Sequence, residues 1–114
     1  MANQKNEATK RVTPGSGNVF ADLGFKDAEE RQTKVRLAYT INRIIERQRL
    51  PQTKAARLLG INQPKISALS NYRLSGFSVE RLMNFLIALD RDIEIVVRRK
   101  PHSRKVARIV VTAA

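Results

Sequence analysis

Apolar residues recur at helical spacing through the middle of the chain, and near the C-terminus they alternate instead. Between about Ala28 and Gln48 they return every three or four positions, which predicts one long amphipathic helix. Asp27 with Glu30 resembles a capping box at its start, and Leu50-Pro51 ends it. The expected buried stripe contains Val35, Ala38, Ile41 or Asn42, and Ile45, with Leu37, Tyr39 and Ile44 beside it.

Two short helices joined by a tight turn are predicted from Gln52 to Asn71, over the sequence QTKAARLLGINQPKISALSN. Gly60 suits a left-handed residue that ends the first helix, and Ile61 can fill the turn. Asn62 is a good N-cap, and proline is allowed in the first turn that follows. The predicted buried residues are Ala55, Ala56, Leu58, Leu59, Ile66 and Leu69. This pattern predicts a helix-turn-helix, whose second helix fits a DNA major groove; the alternative is an ordinary glycine-joined helix pair.

Shorter elements are predicted on both sides of this motif. Residues 19–23 read as a short helix, and Ser78 as the N-cap of another. The buried face of the latter is expected to contain Val79, Leu82, Met83, Phe85, Leu86 and Leu89. Residues 92–98 alternate and are β-branched, which predicts one C-terminal strand. The predicted fold is therefore mainly α, a helix-turn-helix bundle of about five helices with one C-terminal β-strand.

The predicted strand needs a partner, because an isolated strand leaves its backbone N–H and C=O groups unpaired. The partner is either the same strand of a second copy or the β-prone segment 106–111 in a hairpin within the chain. We favour the homodimer, with Ile93, Ile95 and Val97 in the interface strand. Dimers of this motif read DNA half-sites that lie about one helical turn apart.

Positive charge is concentrated on the helix-turn-helix and on the C-terminal tail. The chain has 114 residues and a formal net charge of +12. Residues 51–77 contain four basic residues and no acid, and residues 98–114 contain six basic residues and again no acid. Residues 18–50 are close to balanced, and residues 78–97 are net negative. This distribution points to a polyanionic partner.

The composition argues against other classes of function. Cysteine is absent and His102, in the tail, is the one histidine, so we predict no disulfide, metal, cofactor, small-molecule substrate or enzyme activity. We find no signal peptide and no run long enough to span a membrane, and expect a cytoplasmic, nucleoid-associated protein. The aromatic residues are scattered and expected to be mostly buried, so they form no platform for single-stranded bases.

With these elements in place, the sequence resembles the Xre/Cro-type family of phage-repressor-like regulators, and within it the HigA-like antitoxin branch. The resemblance rests on the long first helix and on LPQTKAARLLGINQPKISAL, LSGFSVERLMNFLIAL and DIEIVVR, with GNVFADLGF before them. It implies a lambda-repressor-like domain at residues 18–99, which carries the dimerisation strand. Residues 1–17 are then a flexible arm and residues 100–114 a basic tail, both outside the resemblance.

The resemblance also implies roles for individual residues. Gln52 and Gln63 match two glutamines of the family, one of which binds a phosphate and supports the other, which reads adenine. The residues expected to contact bases are Gln63, Lys65, Ser67 and Ala68. The residues expected to contact phosphates or to support such contacts are Gln52, Thr53, Lys54, Arg57, Asn71, Tyr72 and Arg73. Pro64 stands where the family often has a polar contact residue. The alternative for each residue is an ordinary solvated surface position.

The predicted function is that of a sequence-specific regulator that binds double-stranded DNA and represses its own operon. The resemblance adds the role of antitoxin in a type II pair. The expected contact for its RelE-like toxin partner is the acidic stretch Asp22, Asp27, Glu29 and Glu30; the alternative is that these acids serve only the helix dipole. Two alternatives stay open: a stand-alone prophage-type repressor without a toxin, and a toxin inhibitor that binds DNA only weakly. The role of the tail is left open: it is either a solubilising segment or an arm that binds the toxin or DNA.

Overall fold

Four α-helices make up the regular structure of the computed structural model, which describes residues 25–113, with side chains from residue 27 onward. Helix α1 spans Phe25–Arg47, α2 Gln52–Leu59, α3 Gln63–Ser70 and α4 Val79–Ala88. The described part of the chain contains no β-strand. The predicted arm at 1–17 and the predicted helix at 19–23 lie outside the described residues.

The chain divides into two compact units, residues 1–32 and residues 33–114, and α1 begins in the first and ends in the second. Of the first unit, the structure describes the opening turns of α1. This helix starts at Phe25, so Asp27 lies in the first turn and not at the predicted N-cap. Its negative charge still complements the positive end of the helix dipole.

One cluster of aliphatic and phenylalanine side chains forms the core of the second unit. Helix α2 packs on α3 and on α4, and the rings of Phe77 and Phe85 meet edge to face with centroids 5.8 Å apart. Each fully buried aliphatic side chain contributes about 1.5–3 kcal/mol to folding. The buried residues are Leu37, Ala38, Ile41, Ile44, Ala55, Ala56, Leu59, Ile66, Leu69, Leu74, Phe77, Leu82, Phe85, Leu86 and Leu89.

The buried face of α1 is rotated from the predicted stripe. Helical spacing does not decide between neighbouring stripes when apolar residues are adjacent, and here the stripe through Leu37, Ala38, Ile41 and Ile44 is the one in the core. Tyr39 is held at the surface, where its hydroxyl accepts a 2.8 Å hydrogen bond from the Arg43 guanidinium. Three residues predicted to be buried are therefore exposed: Val35 by 42%, Tyr39 by 52% and Leu58 by 47%. Tyr72 is also exposed, as its predicted contact with a phosphate requires.

All four helices end with the same backbone arrangement, a left-handed residue followed by an amide that bonds five residues back, as in a Schellman motif. Glycine occupies this place once, at Gly60 with φ 72°. The other three left-handed residues are Arg49 (φ 53°), Tyr72 (φ 60°) and Asp90 (φ 68°). The closing bonds are Leu50 N to Ile45 O, Ile61 N to Ala56 O, Arg73 N to Ala68 O and Arg91 N to Leu86 O, at 2.8–3.0 Å.

The C-terminal segment forms neither the predicted strand nor the alternative hairpin. Residues 91–113 have no helix or strand, so segments 92–98 and 106–111 form no β-ladder in the single chain. The physical reason is that a strand exists only through a ladder with a partner, which the two segments do not give each other. Ile93 and Val111 pack against the core, whereas Ile95 is 76% and Val97 is 91% exposed.

Candidate nucleic-acid interface

The turn between α2 and α3 has the predicted construction. Gly60 ends α2 in the left-handed conformation, and Ile61 packs against the core. The side chain of Asn62 accepts a 2.9 Å hydrogen bond from the backbone N–H of Lys65, so the predicted N-cap is confirmed. Pro64 lies in the first turn of α3. This turn fixes where α3 begins and therefore which side chains open its outward face.

Helix α3 divides into a core side and an outward side. Ile66 and Leu69 are buried, and the side-chain amide of Asn42 on α1 donates a 3.1 Å hydrogen bond to the Leu69 carbonyl. With 3.6 residues per turn, positions opposite Ile66 and Leu69 point away from the core. Exposed Pro64 and the half-buried Ser67 and Ala68 lie on this side, and exposed Gln63 lies at its edge, at the start of the helix. The structure thus brings three of the four predicted base-contacting residues, Gln63, Ser67 and Ala68, to one face.

Lys65, the fourth predicted base-contacting residue, is directed elsewhere. Its Nζ lies 3.4 Å from the Gly76 carbonyl oxygen and 5.1 Å from the centroid of the Phe77 ring. A Cβ added to Gly76 would lie 3.3 Å from the same nitrogen. The half-buried side chain therefore joins α3 to the loop before α4. Sequence reasoning missed Gly76 and Phe77 as its partners, since no local pattern in the sequence links residues that meet across a loop.

The C-terminal end of α3 uses its own polar side chains to close the helix. The Asn71 side-chain amide donates to the Ser67 carbonyl at 2.9 Å, and the Ser70 hydroxyl donates to the same oxygen at 3.1 Å. Tyr72 then takes the left-handed conformation and Arg73 continues outward, both exposed. The predicted phosphate-contacting residues Asn71, Tyr72 and Arg73 thus follow directly on the outward helix.

The remaining predicted phosphate-contacting residues lie on α2. Gln52, Thr53, Lys54 and Arg57 are all exposed. The N-cap residue Pro51 makes no side-chain cap, and the first turn contains no acid. Uncapped N–H groups and the positive end of the helix dipole favour an anion at this position. The start of α2 is therefore suited to a phosphate group.

Metal-binding groups and membrane-spanning helices were both sought in the part of the chain that the structure describes. It holds no group of three or more His, Cys, Asp or Glu residues placed to bind a metal ion. Among its helices, none is both long and apolar enough to cross a membrane.

Comparisons with known proteins agree with this geometry. The family model described as a helix-turn-helix domain matches residues 19–98. A solved structure described as an XRE family transcriptional regulator is 68% identical; the match covers 77% of this chain and 99% of that chain, with a TM-score of 0.74. No curated protein matches the sequence significantly. The family match, the sequence identity to this regulator and the packing of α2 on α3 show that the chain belongs to the Xre-type helix-turn-helix family.

Proposed function

We propose that this chain is a transcriptional regulator that binds a specific site in double-stranded DNA and represses its own operon. The outward face of α3 carries this proposal, because it presents Gln63, Ser67 and Ala68 on a helix whose other side is fixed in the core. A glutamine amide held at the start of such a helix can make two hydrogen bonds to adenine N6 and N7. The solved relative described as a transcriptional regulator supports the same function.

The phosphate backbone would be held on both sides of α3. The exposed side chains at the start of α2 and just after α3 suit the two flanking backbones of a major groove. The proposed phosphate-contacting or supporting residues are Gln52, Thr53, Lys54, Arg57, Asn71, Tyr72 and Arg73. Residues 51–77 contain no acid, so no carboxylate in this segment repels the phosphates.

Binding to the chain's own upstream DNA and to scrambled DNA, across a salt series, tests this function. Gln63→Ala should weaken binding to the specific site by about 1–3 kcal/mol and leave scrambled DNA unchanged. Lys54→Ala should weaken binding to both DNAs and reduce the slope of log K against log salt concentration by about one. Arg36→Ala is the matched control, since it removes an equal charge from an exposed position on α1. Equal binding of both DNAs by the unmodified chain would refute sequence-specific recognition.

The regulator is proposed to act as a homodimer joined through the segment at 92–98. Ile95 and Val97 are exposed apolar residues on a β-prone segment with no strand partner among the described residues. Pairing with the same segment of a second copy would cover both and complete a backbone ladder. Light scattering should give a dimer for the unmodified chain and a monomer for Ile95→Lys. The matched Val110→Lys, in the other β-prone segment, should stay dimeric; a monomeric unmodified chain would contradict the proposal.

We further propose that the chain is the antitoxin of a type II pair. The family resemblance and the acidic opening of α1, with Asp27 in its first turn, support a basic partner such as a RelE-like toxin. The test is coexpression with a small basic protein encoded by the neighbouring reading frame. Copurification and rescue of growth are expected, and charge reversal at Asp27 and Glu30 should reduce copurification. Absence of such a reading frame would favour the stand-alone repressor, and loss of operator binding with retained copurification would favour a pure toxin inhibitor.

A further inference from the structure

The chemistry of the outward face of α3 narrows the DNA sequence that this helix can read. We propose that α3 reads A·T base pairs, through one amide contact to adenine and apolar contacts to thymine methyl groups. The proposal rests on the DNA-binding function proposed above and adds the base composition of the half-site. It depends on which side chains of α3 are available and which are already engaged.

Direct reading of G·C pairs in the major groove relies on charged side chains. Guanine is read chiefly by Arg or Lys at O6 and N7, and cytosine N4 by a carboxylate. The sequence of α3, QPKISALS, has no acid and no arginine, and Lys65 is its one cation. Reading of guanine by this helix would therefore depend on Lys65.

Lys65 is engaged within the protein. Its ammonium group contacts the Gly76 carbonyl at 3.4 Å and lies over the Phe77 ring at 5.1 Å. At 3.6 residues per turn, Lys65 lies about 40° from buried Leu69 on the wheel, at the edge of the outward face. A cation over an aromatic ring is stabilised by the ring quadrupole, and this contact holds the ammonium toward the loop. Lys65 thus acts as a positioning residue that ties α3 to the loop before α4.

The polar side chains at the end of α3 are engaged as well. Asn71 and Ser70 both donate to the Ser67 carbonyl, where they cap the last turn. This bond uses one N–H of the Asn71 amide and holds the side chain at the helix end, where it suits a supporting role and not the reading of a base. The reading groups on this helix are consequently confined to its first two turns.

None of the side chains that stay available is specific for G·C pairs, and all except Ser67 favour A·T pairs. In the described part of the chain, the Gln63 amide and the Ser67 hydroxyl make no hydrogen bond to other protein groups. Glutamine is matched to adenine, and serine can bond either base type. Pro64 is exposed and Ala68 is half-buried, and neither has a polar side-chain atom. In the major groove the apolar group that they can contact is the C5-methyl of thymine.

Selection of binding sites from a randomised duplex library with the full chain tests the proposal. The expected consensus places A·T pairs at the positions under α3 in each half-site. A consensus with G·C pairs there would overturn the A·T assignment and leave sequence-specific binding intact. Recovery of no consensus would instead overturn the proposed function itself, so the two failures are distinguishable.

Two further comparisons sharpen the test. Replacing a contacted thymine by uracil removes only the C5-methyl and should weaken binding about fourfold for each methyl lost. Uracil at a position outside the consensus is the control and should have no effect. Lys65→Met keeps the length of the side chain and removes its charge, and selection with this variant should return the same consensus. Loss of a guanine from the consensus with Lys65→Met would show that Lys65 reads bases and would overturn the inference.

Discussion

Tyr72 occupies a backbone conformation that suits glycine, directly after the helix proposed to read DNA. Its φ is 60°, and its side chain is 41% exposed. Arg49 and Asp90 have the same conformation at two other helix ends, and Tyr72 is the one of the three that lies beside the outward face of α3. Strain at such a position is a reason to look for a function of the side chain. We expect that Tyr72 retains its place because its hydroxyl bonds a DNA phosphate, at a cost to stability. Substitution should therefore separate the two effects.

The size of the backbone effect follows from the difference between alanine and glycine at this position. A residue with a Cβ in the left-handed region costs about 1–2 kcal/mol, and glycine loses about 0.5–1 kcal/mol more backbone entropy on folding. Tyr72→Gly should thus be more stable than Tyr72→Ala by about 0.5–1 kcal/mol. Both variants lose the ring and its packing equally, so the comparison isolates the backbone term.

Gly60→Ala tests the same backbone effect in the opposite direction, because Gly60 is the left-handed residue at the end of α2. Its φ is 72°, and a Cβ added there meets nothing within 4 Å, so Gly60→Ala has no steric term from neighbours. This substitution should lower the free energy of unfolding by about 0.5–1 kcal/mol as well. Urea unfolding followed by circular dichroism measures both pairs, and an unchanged m-value would show that only stability has changed.

The DNA arm of the experiment uses Tyr72→Phe, which removes only the hydroxyl. A hydrogen bond to a charged phosphate is worth about 1.5–3 kcal/mol, so affinity should fall at least about tenfold on specific and on scrambled DNA alike. Unfolding stability should stay within about 0.5 kcal/mol of the unmodified chain. Tyr72→Gly no more stable than Tyr72→Ala would refute the strain argument. Tyr72→Phe that binds as well as the unmodified chain would refute the phosphate contact.

Two further predictions concern the cap of α3 and the core. Asn62→Ala should lose about 1 kcal/mol of stability, because the Lys65 N–H loses its acceptor. Asn62→Asp should keep the cap and weaken DNA binding through its negative charge. Equal stability of the two variants would contradict the role of the cap. Leu82→Ala should lose about 2–5 kcal/mol of stability, since Leu82 has 0% exposure. Thermal unfolding measures this loss, and Ile87→Ala, at an exposed position, is the control. A loss below about 1 kcal/mol would show that the core collapses around the cavity.

Local signals in the sequence were sufficient for the helix-turn-helix. Gly60, Asn62 and Ser78 each act on backbone groups within a few residues of themselves, and the structure confirms all three. The start of α1 was predicted less well, since the residue chosen as its cap lies inside the first turn. Which face of α1 is buried depends on the rest of the core, and the spacing along one helix did not decide it.

Non-local features were beyond the sequence patterns. The predicted strand at 92–98 has the right alternation, but a strand forms only where a partner is present, and the described single chain supplies none. The contact of Lys65 with Gly76 and Phe77 depends on how the loop folds back on α3. The residue types of the candidate site could therefore be predicted from the sequence, whereas the direction of Lys65 needed the structure.

Because α3 is short, the contacts that stabilise it in the fold also set the orientation in which it is proposed to read DNA. A helix of eight residues is not stable alone in water, so its position is set by what holds it: the Asn62 cap, buried Ile66 and Leu69, and the bond from Asn42. The same residues fix the rotation of the helix about its axis, and with it the direction in which Gln63 points. A bidentate contact tolerates little rotation, since both hydrogen bonds weaken as their angles depart from linearity. Evolution of a new operator preference is therefore easiest at Gln63, Pro64, Ser67 and Ala68 (the outward positions), because these can change while the inner side of α3 keeps its place.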